Sequence, residues 1–499
     1  MALDDSGFAL QSARPRGFDR VLKWGALAAV VGALAWSAQY AGDAWRWLTG
    51  KPARYRPQHA VALAQIDLEA VHVDRWTKWI VAASHATPGV PDDELAQART
   101  AMREAIAADQ NLVELFDELD GLVTTGNLRS ERVRDRTKWL TYAWNDYLDA
   151  SAQPYFVHTN VLLNDKPLFY AHTYRVLADS DGTVGDERLR VRALGRLDRI
   201  GLRELYLGYV TSDTDGALLL VDRLAEHVLE QLWPMLAGPE HVPLDYRRYA
   251  DAVIAEATRE LPADVMAELT ATAVLRADAV AAVDAMVERM KCSRLSLTKM
   301  PFDGYDQEAL FELADLVETG ECAAVRNTEF DALRRASEQL KGRPALEDAL
   351  QQLAAWAARP VAVHELRHAA DELVRDDDDD KRDCTICDAT DPDLVRAEVA
   401  AYLAELAWST VPATALHQIC RSTADDTDDM TVHGRARAIV LKGLQWSCRD
   451  GVPDDISDKA RALERSAFGR SDAIVLGASF PTHMAVVSER ARRAAAEPD

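Results

Sequence analysis

Apolar and polar positions along this chain fall into three textures, each of which predicts a kind of element. From about residue 60 to 150, apolar residues recur at three- and four-residue spacing, as over Leu95 to Leu122, which predicts helices. Between about 155 and 212 the period shortens. Tyr155 to Leu163, the turn residues Asn164 and Asp165, and Pro167 to Leu177 predict a β-hairpin. A second turn signal at Asp179 to Gly185 leads to Arg188–Leu194 and Leu205–Val210, which are expected to continue an antiparallel meander. From Asp215 to about 358 the helical spacing returns, and Ala263 to Met290 is expected to form a core helix hairpin. Pro360 suits the first turn of a further helix, with Val361, Val363, Leu366, Ala369, Ala370 and Leu373 as its apolar positions. Asp393 to Trp408 reads as another. The fold class is α+β, mainly α-helical, with a small antiparallel sheet.

One segment is too apolar for this scheme. Trp24 to Gly42 carries no charge, follows Arg14, Arg16, Arg20 and Lys23, and is just long enough to span a bilayer as a helix. Trp24, Trp36, Tyr40, Trp45 and Trp47 fit an interfacial aromatic belt. An uncleaved anchor over 21–42 is expected, with a signal peptide cut near Ala33–Ala35 as the alternative. A short basic N-terminal tail usually stays in the cytoplasm, which places the bulk of the chain outside it. Basic residues on the two sides are otherwise matched, so charge alone does not orient the span.

Composition narrows the partners. With 57 basic and 81 acidic residues the formal charge is −24, and no basic patch stands out, which argues against nucleic-acid binding. The chain holds 6 cysteines, an even number compatible with disulfides in an oxidising compartment. Cys384 and Cys387 form a C-x-x-C without a second close pair for a zinc site or a thioredoxin-like context for redox work; a local loop-stiffening disulfide is expected. The acidic run Asp376–Asp380 should be a solvated loop.

The chemistry is concentrated in His364-Glu365-Leu366-Arg367-His368. Residues four apart on a helix share a face, so both imidazoles can reach one metal ion, and Glu365 beside the first is placed to take a proton from water activated there. A hydrolytic zinc needs a third protein ligand. A third histidine six residues on is excluded, because position 374 is Val. Glu398, on the predicted Asp393–Trp408 helix, can be aimed at the histidines if that helix packs antiparallel to the first. Glu405, two turns along the same helix, is expected to matter much less.

H-E-L-R-H followed by a glutamate in A-E-V-A-A-Y-L-A-E-L resembles the gluzincin group of zinc metallopeptidases over about residues 346–450. The resemblance implies Zn2+ held by His364, His368 and Glu398, with Glu365 as general base and acid. Thermolysin-like members place an Asp one turn after the ligand glutamate to orient a ligand histidine, whereas this chain has Tyr402. Its phenol is a candidate to orient a ligand or to donate to an oxyanion; packing is the competing role. Asp371 and Glu372 are alternative partners for the ligands. Gluzincins often use a later His or Tyr to stabilise the tetrahedral intermediate, and His433 is preferred here over His417 and His483 because it precedes an apparent helix.

The expected organisation is a tail over 1–20, an anchor over 21–42, a linker over 43–59, helices over 60–150, the sheet over 151–215, helices over 216–345 and a gluzincin-like zinc peptidase domain over 346–499. The expected function is a membrane-anchored zinc metallopeptidase, a hydrolase acting on peptide or protein substrates. The alternatives are a membrane-tethered helical scaffold whose motif is vestigial, and a zinc hydrolase acting on a non-peptide amide.

Overall fold

The computed structural model describes residues 63–85, 92–163, 167–198, 200, 206–211, 216–241, 247–290, 338–340, 343–374, 383–425, 431–448 and 450–486, all within one unit spanning Tyr55–Asp499. The expected membrane anchor, the turn at Asn164–Asp165, the acidic run, Cys292 and Cys322 lie outside these residues. Among the described residues, no helix is long and apolar enough to cross a membrane.

The chain is mainly helical with a curled mixed sheet. After short helical turns over Leu63–Arg75, four longer helices follow: α1 (Trp76–His85), α2 (Asp93–Ile106), α3 (Gln110–Thr125) and α4 (Glu131–Ala150). The helical periodicity over Leu95–Leu122 therefore resolves into two helices. Asp109 makes the break, because its carboxylate accepts from the backbone N–H of Asn111 and Leu112 (3.0 and 3.3 Å) and so starts a new helix. The core of this bundle is aromatic. Trp76 meets Trp79 and Trp144 edge to face, with centroids 5.5 and 5.2 Å apart, and Trp79 meets Phe116 at 5.2 Å.

The sheet contains β1 (Tyr155–Leu162), β2 (Leu168–Val184), β3 (Glu187–Arg196), β4 (Gly208–Val210), β5 (Gly216–Leu220) and β6 (Ile474–Leu476). Its main path runs β1-β2-β3-β5-β4, with β6 on β2. The first three strands form the expected antiparallel meander, turning between β2 and β3 at Gly185, whose φ is +58°. Beyond them the expectation of a purely antiparallel sheet is corrected. β5, in a stretch expected to be helical, lies parallel to β3, and the 208–210 strand pairs with β5 on the far edge. Gly216 permits this close pairing, since a Cβ there would fall 1.9 Å from the Arg190 carbonyl oxygen. The sheet curls enough that His158 of β1 stacks on Tyr209 of β4 at 4.5 Å, although these strands end the path on opposite sides.

Strand alternation distributes the sheet among three cores. Val157, Phe169 and Ala171 face the helical bundle, Phe156, Tyr174, Leu194, Leu218 and Leu220 fill the inside of the curl, and Leu189, Val191, Ala193, Ala217 and Leu219 face the later helices. Those helices are α5 (Val221–His227), α6 (Arg247–Glu260), α7 (Ala263–Met290), α8 (Pro344–Val374), α9 (Asp393–Trp408), α10 (Pro412–Asp425), α11 (Val432–Gly443) and α12 (Ile456–Phe468). Two expectations change here. Ala263–Met290 is one continuous helix, not a hairpin, and Pro360 sits inside the 31-residue α8 instead of at its start. An interior proline removes a helical hydrogen bond, but α8 is buried nearly all round, from Leu353 to Ala358 and again over Val361 to Val363, and that burial outweighs the break. The result positions the motif: α8 is the central strut, with the sheet on one side and α9 on the other.

Candidate metal centre

Three contacts from α8, two to α9 and one to the residues just after it, show that the two helices run antiparallel. Arg359 donates to Thr410 Oγ1 (3.5 Å), His364 Nδ1 meets Glu405 Oε2 (3.1 Å), and His368 Nε2 meets Glu398 Oε1 (3.3 Å). This brings His364, His368 and Glu398 to one point. The Nε2 atoms of the two histidines are 3.2 Å apart, and His364 Nε2 is 3.2 Å from Glu398 Oε2. Edges of this length match the spacing of neighbouring ligands in a tetrahedral shell whose ligand bonds are about 2.0–2.1 Å.

A second observation points the same way. Glu398 Oε2 is buried and has no well-directed hydrogen bond, although imidazole nitrogens of His364 and His433 lie within 3.2 and 3.1 Å. If His364 donates its Nδ1–H to Glu405, its Nε2 presents a lone pair, as a metal ligand must. A lone pair and a carboxylate gathered in a buried place are held together by a shared proton or by a cation. The donor set of two imidazoles and one carboxylate fits a divalent ion of the zinc type, and it stands as a cluster able to hold a metal.

The surrounding charges follow from burial. Burial would raise the Glu398 carboxyl, but the imidazoles of His364, His368 and His433 outweigh it and hold the group well below the usual carboxylate range. Burial opposes protonation of His364, while Glu398 and Glu405 together push its pKa well above the ordinary value. Glu365, beside His364 and only 7% exposed, is raised by burial. A Cβ on Gly208 would lie 2.9 Å from Glu365 Cγ, so the backbone of β4 passes directly over this carboxylate and only glycine leaves room.

Tyr402 and His433 both reach the centre. The Tyr402 ring lies edge-on to His364 at 4.8 Å, and its hydroxyl is 3.2 Å from His433 Nδ1. Burial raises the phenol far above its ordinary value, so it keeps its proton. His433, near the start of α11, is 3.1 Å from Glu398 Oε2, and the ring of Tyr206 lies 5.1 Å from it on the other side. The other two downstream histidines make different contacts: His417 is buried beside Tyr249 and His227, and His483 pairs with Asp348.

One sequence expectation is revised and one candidate is placed. Asp371, a candidate partner of the ligands, binds Arg367 (3.2 Å) and Arg470 (2.5 Å), and Arg367 also meets Glu464 (3.1 Å) in a buried ion network behind the motif. Glu405, set aside as peripheral, is the partner of His364 Nδ1 and is only 2% exposed. Helical geometry explains both this and the role left open by Tyr402. Seven residues make nearly two full turns, so Glu405 lies closer to the meridian of Glu398 than Tyr402, four residues on, does. Arg437 on α11 was also missed; its Nε donates to the Tyr402 hydroxyl at 3.0 Å. The C-x-x-C pair forms a disulfide, as expected, and Cys420 is joined to Cys448.

Comparison with protein-family models, curated proteins and solved structures finds no match to this chain.

Proposed function

We propose that this chain is a gluzincin-type zinc peptidase, anchored to a membrane by residues 21–42, whose peptidase domain over 346–499 works outside the cytoplasm. The observation that supports the reading is the convergence of His364, His368 and Glu398, from two antiparallel helices, around one buried point beside Glu365. Zinc held by those three residues supplies a Lewis acid that acidifies water and polarises a carbonyl.

The chain's own groups supply the rest. Glu365, the general base and acid of this reading, is desolvated, which raises its carboxyl above the ordinary glutamate range. It takes one proton from the attacking water and delivers it to the leaving nitrogen; the C–N bond breaks, and a carboxylic acid and an amine leave. Tyr402, which keeps its proton, and His433 are the donors for the oxygen that gains charge. Among the described residues β4 has no strand on its outer side, so an extended peptide could add there and cross Glu365.

Glu365→Gln tests the reading. It should leave folding and zinc content nearly intact and abolish hydrolysis, because only the proton carrier is lost. Unchanged turnover removes the mechanism. Protein isolated without chelators and lacking stoichiometric zinc favours a helical scaffold instead.

A further inference from the structure

Arginines around the metal cluster are occupied, with one exception. Arg367 is held by Asp371 and Glu464, Arg435 by Asp388 and Asp391, Arg461 by Asp458, and Arg470 by Asp371. Arg437, one turn after His433 on the same face of α11, makes no direct ion pair among the described residues, although its charge acts on the buried Glu405 carboxylate. Its Nε donates to the Tyr402 hydroxyl and its guanidinium carbon lies 5.3 Å from the Tyr402 ring centroid. Nη1 and Nη2 carry no hydrogen bond among the described residues, so the fork of the guanidinium is unused. Forks of this kind bind carboxylates through two parallel N–H···O bonds.

The setting makes an unused fork significant. Glu365, Glu398 and Glu405 surround the cluster with carboxylates, and the whole chain carries −24, so a free carboxylate would be repelled from this region unless a fixed cation received it. Contacts of 3.0, 3.2 and 3.1 Å link Arg437 through Tyr402 and His433 to Glu398. The direct separation is no longer than those three contacts laid end to end, so a stretch of one or two extended residues, at about 3.3–3.6 Å each, is of the right order.

We infer that Arg437 receives the C-terminal carboxylate of a peptide, so that the centre removes one or two residues from a free C-terminus. The inference rests on the peptidase reading above and adds the substrate class.

The test uses a hexapeptide dansylated at its N-terminus, prepared as the free acid and as the C-terminal amide. Binding to zinc-loaded Glu365→Gln protein is followed by fluorescence anisotropy. The acid should bind about 10- to 100-fold more tightly than its amide, the range of a charge-assisted fork. Adding Arg437→Gln should bring the ratio to within about twofold of one, while Arg437→Lys should keep part of it, since the charge stays and the fork is lost. General damage to the cleft weakens both peptides alike and leaves the ratio, which separates it from the proposed role. Equal binding of acid and amide, or binding of neither, overturns the inference. In zinc-loaded wild-type protein the acid should lose one or two residues from its C-terminus, and release of longer fragments also overturns it. Preferential binding of the acid without any cleavage leaves Arg437 as a carboxylate site and refutes the hydrolase reading alone.

Discussion

Glu405→Ala should weaken zinc binding almost as an outer ligand would, although residue 405 touches no metal. In the native chain its Oε2 accepts from His364 Nδ1 at 3.1 Å, and both groups are nearly buried. Removing the acceptor leaves a buried ring N–H unpaired, at a cost of about 1–3 kcal/mol, and frees the ring to rotate or to take the other tautomer. Partners of metal-bound histidines typically account for about 10- to 100-fold in affinity, which is about 1.4–2.7 kcal/mol and agrees with the hydrogen-bond figure. Glu405→Gln keeps an acceptor of the same shape and loses only the charge, so its loss should be roughly tenfold or less. Competition titration against a chromophoric zinc chelator at neutral pH measures each dissociation constant, and a thermal melt of the metal-free protein reports whether the fold survives. A Glu405→Ala constant within about twofold of wild type, in protein that melts normally, would refute the orienting role.

Other consequences reach beyond the centre. His72 is wholly buried, donates from Nδ1 to the Leu68 carbonyl, accepts from Trp144 and has its pKa lowered by burial to about 4. The unfolded chain therefore binds a proton that the native state refuses, and stability should fall by up to about 3 kcal/mol as pH drops from about 6.5 to about 4. Urea unfolding across that window should show the loss, and His72→Gln should flatten it; an identical slope in the variant would contradict the assignment. Arg367→Met should destabilise by about 3–5 kcal/mol in denaturant titration, because the buried Glu464 would lose its cation, keeping only the Ser471 and Trp408 donors, and Asp371 would be left with Arg470 alone. A loss under about 1 kcal/mol would show that the network is dispensable. Replacing Cys420 and Cys448 together by Ser opens a link with a separation of 28 residues and should cost about 3–4 kcal/mol, read from the same titration under non-reducing conditions. No change in the midpoint would argue that the pair is not bonded in solution.

How much of this was legible in the sequence depends on the range of the interaction involved. His364, Glu365 and His368 were visible because one helical turn fixes their relation, and Glu398 because a helix with a buried face has few directions in which to aim a carboxylate. The hairpin of β1 and β2 was visible for the same local reason. The parallel placement of β5 on β3 was not, since it depends on where the chain returns after residue 211 and no local period encodes that. Pro360 misled because its preference for a helix start is weaker than the burial of α8 on both sides of it. Glu405 had a readable signal, the seven-residue offset from Glu398, but it was discounted in favour of the four-residue offset at Tyr402. Arg437 had none, because its meaning comes from lacking the direct carboxylate partner that its neighbours have.

The central claim is that His364, His368 and Glu398 hold one zinc ion. Zinc-edge anomalous diffraction from crystals grown without chelator or added metal tests it most directly. The account requires a single strong peak per chain, with both histidine nitrogens and a Glu398 oxygen about 2.0–2.2 Å from it and a coordination position left open to solvent. An empty centre with Glu398 turned away from the histidines, or a peak elsewhere on the chain, would contradict it.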